Sequence, residues 1–300
     1  MVLSQVLAYL KDKEISYRIL NFVDVEISRI STPLESTLDS IVFFNKGLPP
    51  DFNFEYGACV IKITEKSAQF DSKNVICVDN PRLAIIFIGQ FFKPYFSQKK
   101  SSISHRAIIH PQAKIGKNVI IMDNAILGNC TVGDYTIIYP NVVIYDKTEI
   151  GSFCEINANT TIGAEGMGSE RYKEGEIIKF PHFSNVVIKD DVFIGPNVTV
   201  SRGVLTPTVV ETGCRVNAFA HIAHNAHIGK NVDIGMAAVI CGSVRIGDGC
   251  SLGPNCTIRD GVTIRDNVRV GMGAVVTKSF CESGVILVGV PARIFSKDRK

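Results

Sequence analysis

The sequence predicts a mainly β protein, a left-handed parallel β-helix preceded by a small α/β domain. Three observations carry that expectation. An aliphatic residue recurs at every sixth position through most of residues 101–300, a small residue follows each aliphatic by four, and Gly or Asn stands between them in most units. The aliphatics run Ile126, Val132, Ile138, Ile144, Ile150, Ile156 and Ile162, and resume at Ile188, Ile194 and Val200. After a four-residue insertion they continue from Val210 in steps of six to Val276. An earlier stretch, Ile109, Ile115, Ile121 and Leu127, joins the first series through one five-residue unit, LGNCT.

A period of six matches neither the 3.6 of a helix nor the 2 of a strand. It matches a short strand ending in a tight corner. In the long run the small positions are Cys214, Ala220, Ala226, Val232, Ala238, Val244, Cys250, Cys256, Val262, Val268 and Ala274. The corner position before each is Gly or Asn in eight of eleven units, and those residues tolerate φ > 0 at little steric cost. Three sides of six close a triangular coil of about 18 residues, and stacked coils bury a continuous core. Such a helix departs from the right-handed rule for parallel crossovers.

Residues 1–100 lack the repeat. MVLSQVLAYLKDKEISYRIL interleaves charged and apolar positions as an amphipathic helix does. Strands are expected near 40–45 (SIVFFN), 57–63 (GACVIKI) and 75–79 (VICVD), then a helix from about Pro81 to Phe92. SQKKSSISH (97–105) reads as a linker. Two interruptions mark the repeat domain, a Gly-rich, charged loop at 164–187 and a short insertion around LTPT at 205–208, expected to be a corner bulge. A loop thrown out of a rigid prism is where ligand contacts are usually placed.

Composition narrows the function classes. Hydrophobic residues make up 46% and charged residues 20%, which suits a globular chain. A net charge of +3 with no Lys/Arg block argues against nucleic-acid binding. The N-terminus lacks the uninterrupted apolar core of a signal peptide and no run is long enough to span a membrane, so a cytoplasmic protein is expected. The nine cysteines include no CxxC; Cys154, Cys214, Cys250 and Cys256 take the small inward position and read as core fillers.

These segments together resemble the UDP-3-O-acylglucosamine N-acyltransferase family of lipid A biosynthesis over nearly the full length. The likeness rests on SIVFFN, Asn80-Pro81 opening a helix, IGAEGMG (162–168), Ser-Arg-Gly (201–203), IAHNAHIG (222–229) and ICGS (240–243). Related N-acyltransferases acting on nucleotide-linked amino sugars share the β-helix. The resemblance implies that His224, in IAHN, is the catalytic base. Independently, His224 stands two residues after Ile222, at an outer corner, where an imidazole can take a proton from an amine attacking a thioester. Gly242 lies about one coil further and is expected directly above it; the resemblance implies that its N–H receives the oxyanion.

The resemblance also implies a nucleotide-binding role for the first domain, with Phe43 stacking on the base and Asn45 bonding to it. Glu165 stands where the family has Asp and Met167 where it has Phe; Glu165, His221 and Asn225 are candidate substrate contacts. His221 replaces a family Gln. His221, His224 and His227 sit three residues apart on different faces, so no metal site is expected.

Departures from the family bear on the donor. No His falls in Arg259-Asp260-Gly261, where the family's second functional His belongs, and seven residues follow VGVPAR (288–293), too few for the terminal helices that help engage acyl carrier protein. VGVPAR is an ending typical of CoA-dependent sugar acetyltransferases, with Lys278 and Arg293 as candidate contacts to CoA phosphates. The expected reaction is N-acylation of a UDP- or dTDP-linked amino sugar by acyl-CoA. Two alternatives stay open: the lipid A enzyme itself, fed by an acyl carrier protein, and a non-catalytic nucleotide-sugar-binding scaffold. An outward His needs a second wall to make a cleft, and a flat-sided prism makes a homotrimer the expected assembly.

Overall fold

The structure, a computed structural model, describes residues 1–45, 55–63, 74–96 and 102–295. The chain divides into two compact units, Met1–Lys99 and Lys100–Lys300.

In the first unit, helix α1 (Leu3–Asp12) precedes a five-stranded sheet of β1 (Tyr17–Leu20), β2 (Arg29–Ile30), β3 (Ser40–Phe44), β4 (Ala58–Lys62) and β5 (Val75–Val78), closed by helix α2 (Pro81–Phe96). The strand order is β1-β5-β4-β3-β2, with β1 antiparallel to β5 and the other pairs parallel. Alternation along the strands divides the core. Ile41, Ala58, Val60, Ile76 and Val78 cluster with Leu3, Val6, Leu10, Ala84 and Ile88 of the helices, while Val42, Cys59, Ile61, Val75 and Cys77 form a second cluster. The sequence reading carries the first helix through Leu20, but the structure ends it at Asp12. Glu14 takes a left-handed φ of 56°, the Ile15 N–H bonds back to the Leu10 carbonyl, and Tyr17–Leu20 becomes a strand. The second helix runs on to Phe96, past the expected Phe92.

The second unit is the left-handed parallel β-helix. Two-residue strands stack into parallel sheets of eight, nine and ten strands, the ten-stranded one ending in an antiparallel pair. In the regular part each strand pairs with the one 18 residues on, as in Arg215↔Asp233, His221↔Val239 and His227↔Arg245. All eleven small residues from Cys214 to Ala274 are buried, as are the aliphatics that precede them. The eight expected Gly and Asn corners are left-handed. So are the three exceptions, Phe219 (φ 62°), Ala237 (55°) and Ser243 (58°), because the stacked coils impose the turn whatever residue sits there.

Three expectations are corrected. Ile126 points outward and is 43% exposed, while its neighbour Leu127 is the buried member of that strand. Leu127 pairs with the inward Ile144, so the five-residue unit after it shortens the corner and leaves the core row intact. Residues 102–105 are already part of the helix: Ile103 bridges Ile121, and the Ser104 N–H bonds to the Ile121 carbonyl. The long excursion is not a plain loop. Ser169–Arg171 pairs antiparallel with Ile177–Lys179 as a hairpin, and Val186–Ile188 rejoins the helix.

Seven of the nine cysteines are buried and all are free thiols. Burial pushes the Cys130, Cys154, Cys214 and Cys256 thiols up to about 11, so they stay protonated as core fillers. No helix among the described residues is long and apolar enough to cross a membrane.

Candidate active site

The repeat stacks side chains in columns. Ile222, Ile240, Ile258 and Val276 lie in register on the nine-stranded sheet, so the second residue after each, His224, Gly242, Asp260 and Lys278, climbs one corner of the prism. Coils are about 4.8 Å apart, the spacing of neighbouring strands.

Gly242 sits on the imidazole as the spacing predicts. A Cβ built on it would lie 2.6 Å from Cε1 of His224 and 2.8 Å from Nε2, so only glycine lets this corner close over the ring. The Ser243 N–H bonds to the His224 carbonyl at 2.9 Å and fixes the two coils there.

Asn225 takes the left-handed corner at φ 60° and organises the surroundings of His224. Its Nδ2 donates to the Thr206 carbonyl at 2.7 Å and to the Thr206 hydroxyl at 3.0 Å. Its Oδ1 accepts the Val204 N–H at 3.2 Å, and its own N–H donates to Thr208 Oγ1 at 2.9 Å. With Oδ1 identified as the acceptor, its 3.1 Å contact with His224 Nδ1 requires the proton on Nδ1. Nε2 of His224 then carries the lone pair, the form a general base needs. Asn225, a candidate substrate contact in the sequence, therefore spends its amide on orienting the His224 ring and holding residues 204–206. The insertion expected to be a corner bulge is the other half of this brace.

Glu165 is similarly engaged. Its carboxylate pairs with Lys179 Nζ, and Lys179, followed by smaller contributions from His182, holds it below its ordinary pKa. It clamps the excursion to its own return strand. Arg202, from Ser-Arg-Gly, donates through Nε to the Gly163 carbonyl at 2.8 Å and through Nη2 to that of Asp146 at 2.7 Å, tying down the excursion's root.

The Gly242 N–H, which the resemblance assigns to an oxyanion, already has a partner. It donates to Asp260 Oδ1 at 2.7 Å. The same bond, from a corner N–H to an Asp one coil up, recurs at Lys117–Asp134, Asn129–Asp146, Ser152–Asp190, Lys230–Asp248 and Asp248–Asp266. Asp260 thus makes the repeat's ordinary corner bond beside His224.

The other histidines do not converge. His221 is half-buried on the nine-stranded sheet, and burial, followed by the neighbouring His224, lowers its pKa and keeps it neutral. His227 lies on the eight-stranded sheet with Nε2 3.6 Å from Glu211. Among the described residues no group of three or more His, Cys, Asp or Glu is placed to hold a metal.

The structure brings in one residue the sequence reading missed. His182, on the excursion's return, packs edge-to-face on His224 with ring centroids 5.5 Å apart. Nothing in the sequence marks it, because the excursion has no period by which to place a side chain.

Lys278 and Arg293 are both exposed. Lys278 tops the corner column, its ammonium 5.8 Å from the Phe280 ring centroid, whereas Arg293 belongs to the antiparallel strand ending the ten-stranded sheet. In the first unit, Phe43 packs partly into the helix-facing core and lines a groove of ≈ 770 Å³ with Arg29, Ile30, Ser31, Thr32, Pro33 and Glu35. Asn45 is exposed just beyond β3.

Known proteins share the repeat and the fold. The family described as bacterial transferase hexapeptide (six repeats) matches residues 129–164, and the hexapeptide repeat of succinyl-transferase matches 243–278. The chain is 37% identical over 185 residues to UDP-3-O-acylglucosamine N-acyltransferase 1 of Francisella tularensis, covering 55% of this chain and 53% of that protein. It is 31% identical over 187 residues to UDP-3-O-acylglucosamine N-acyltransferase of Coxiella burnetii, covering 56% and 54%. The chain thus spans about half the length of the curated relatives it matches. Among solved structures, UDP-N-acetylglucosamine acyltransferase of Francisella novicida superposes with a TM-score of 0.58 at 25% identity, covering 64% of this chain and 68% of that one. The enzyme of the same name from Bacteroides fragilis gives 0.58 at 26%, covering 65% and 74%. Repeat, coil geometry and relatives agree: this is a hexapeptide-repeat β-helix protein, similar over about half its length to the UDP-3-O-acylglucosamine N-acyltransferases.

Proposed function

We propose that the protein transfers an acyl group from a thioester, acyl-CoA in the first instance, to the amino group of a UDP- or dTDP-linked amino sugar. The observation that carries this reading is the state of His224. Asn225 holds its Nδ1–H, leaving the Nε2 lone pair at a corner closed by a side-chain-free Gly242. The amine attacks the thioester carbonyl and loses a proton to His224 Nε2; the tetrahedral intermediate then expels the thiolate, which recovers that proton. The Gly242 N–H receives the oxyanion once the exposed Asp260 carboxylate rotates away, one anion replacing another on a donor already aimed. Phe43 and Asn45 hold the nucleotide base, His221 lies beside the acceptor sugar, and Lys278 and Arg293 contact CoA phosphates. A homotrimer supplies the second wall of each site.

The names of the curated relatives favour a second reading, the lipid A enzyme with a hydroxyacyl carrier protein as donor. One experiment separates them: purified protein is given UDP- and dTDP-amino sugars with acyl-CoA or acyl carrier protein, and products are followed by mass spectrometry. His224→Ala should lower kcat at least about a hundredfold, the scale of general-base loss. Near-normal turnover by that variant would remove His224 from the chemistry, and tight nucleotide-sugar binding without transfer would leave a binding scaffold.

A further inference from the structure

One polar group near the base has its hydrogen bonding incomplete. His182 is 4% exposed, and its Nδ1 lies 2.9 Å from the Phe180 carbonyl. A carbonyl only accepts, so Nδ1 bears the proton and Nε2 presents a lone pair. That Nε2 is buried and has no partner. Buried acceptors without donors are uncommon in native proteins, and at functional sites they often await a ligand.

Its surroundings suggest which ligand. The two imidazoles meet at 81° with centroids 5.5 Å apart. Gly166 adjoins both: a Cβ there would lie 3.2 Å from His182 Nε2 and 3.3 Å from His224 Cδ2, the carbon next to the basic Nε2. With no side chain at 166, the backbone of this segment lies directly over both rings. One nitrogen bonded to two acceptors at about 2.9 Å needs them about 5 Å apart, and ring centroids at 5.5 Å put the two imidazoles within that reach of one another.

We propose that His182 is a second active-site imidazole that selects a nitrogen nucleophile. The inference rests on the N-acyl transfer reading above. A primary amine has two N–H bonds and one lone pair. One N–H points to His224 Nε2 and is the proton given up as the C–N bond forms. The second N–H donates to His182 Nε2, turning the amine lone pair toward the thioester carbonyl, and it remains on nitrogen as the N–H of the product amide. The thiolate leaves with the sulfur electron pair and takes the proton back from His224. A hydroxyl has a single O–H, so an alcohol that engages His224 leaves His182 unpaired. Because His182 Nε2 is shut off from solvent, the acceptor reaches it as segment 164–168 backs away.

The test compares the intact protein with His182→Phe, which keeps a flat ring without the acceptor, and His182→Gln, which restores an amide oxygen. UDP-glucosamine and UDP-glucose serve as amine and hydroxyl probes, with acetyl-CoA and hydroxyacyl carrier protein as donors. His182→Phe should lower the amine-to-hydroxyl ratio of kcat/KM by about tenfold or more, the effect of one well-placed hydrogen bond; His182→Gln should recover most of it. An unchanged ratio in His182→Phe, or equal losses in both variants at unchanged melting temperature, overturns the proposal. Should the wild type acylate neither probe, the acyl-transfer reading fails for these acceptors, and imidazole nitrogen NMR then decides on His182. A bare Nε2 whose resonance moves with UDP-glucosamine but not UDP-glucose supports the proposal; a protonated Nε2, or no difference between probes, overturns it.

Discussion

Gly242→Ala isolates the contact on which the site is built. Gly242 does not have a left-handed φ, so alanine meets no backbone objection there. The whole penalty is steric: the new Cβ would fall 2.6 Å from Cε1, 2.8 Å from Nε2 and 3.2 Å from Nδ1 of His224. The ring has little room to yield, since turning it breaks the 3.1 Å bond to Asn225 Oδ1. Overpacking of this kind costs about 1–3 kcal/mol, or a fall of about 2–12 °C in Tm for a domain of this size. Displacing the base should also cut kcat by about 10²–10⁴. The decisive measurement is the cycle with His224→Ala. Removing the imidazole vacates the space, so adding Gly242→Ala in that background should be neutral or stabilising by about 0.5 kcal/mol, through the stiffer unfolded chain. A coupling of about 2 kcal/mol between the two positions is therefore expected from denaturant unfolding. Additive effects on stability, or wild-type turnover in Gly242→Ala, would show that the two groups do not press on each other as described.

Four further outcomes follow from the same geometry. Asn225→Gly keeps the left-handed corner but loses the bonds to Thr206, Val204 and His224; kcat should fall at least about tenfold through the lost tautomer control, and Asn225→Ala should melt lower still because it adds about 1 kcal/mol of backbone strain. Ala237→Gly relieves a φ of 55° at a corner without other duties and should raise unfolding stability by about 0.5–1 kcal/mol. Asp260→Ala frees the Gly242 N–H; it should leave kcat unchanged or raised while costing about 1 kcal/mol of stability for the lost bond. For Glu165, the folded pKa lies below its ordinary 4.5. Its clamp is therefore fully present above about pH 4.5 and is lost as the pH falls through the depressed folded value. Because the chain has no Trp, Met167→Trp gives a fluorescence reporter of that acid transition, and adding Glu165→Gln should abolish it.

His182 illustrates where reading residues in order stops being informative. The period of six declares which side chains point inward, because a core row repeated at fixed spacing leaves no freedom of register. It also lets His224 be set beneath Gly242, since residues about one coil apart must stack. Where the period breaks, at 164–187 and at 202–208, the backbone is free to go anywhere. The sequence accordingly offers Glu165 and Asn225 as substrate contacts, and both are occupied by their own chain.

The sequence by itself determined the β-helix, its inward residues apart from Ile126, eight of the eleven corners of the long run, and the column from His224 to Lys278, all consequences of a strict repeat. Only the tertiary structure decided how the two irregular segments fold back over that column. Bonds from these segments fix the tautomer of His224, their packing buries His182 against it, and the regular corner bond one coil up occupies the Gly242 N–H. The bonds that brace this corner join residues 17 to 21 apart across an irregular segment, and no local residue pattern marks them.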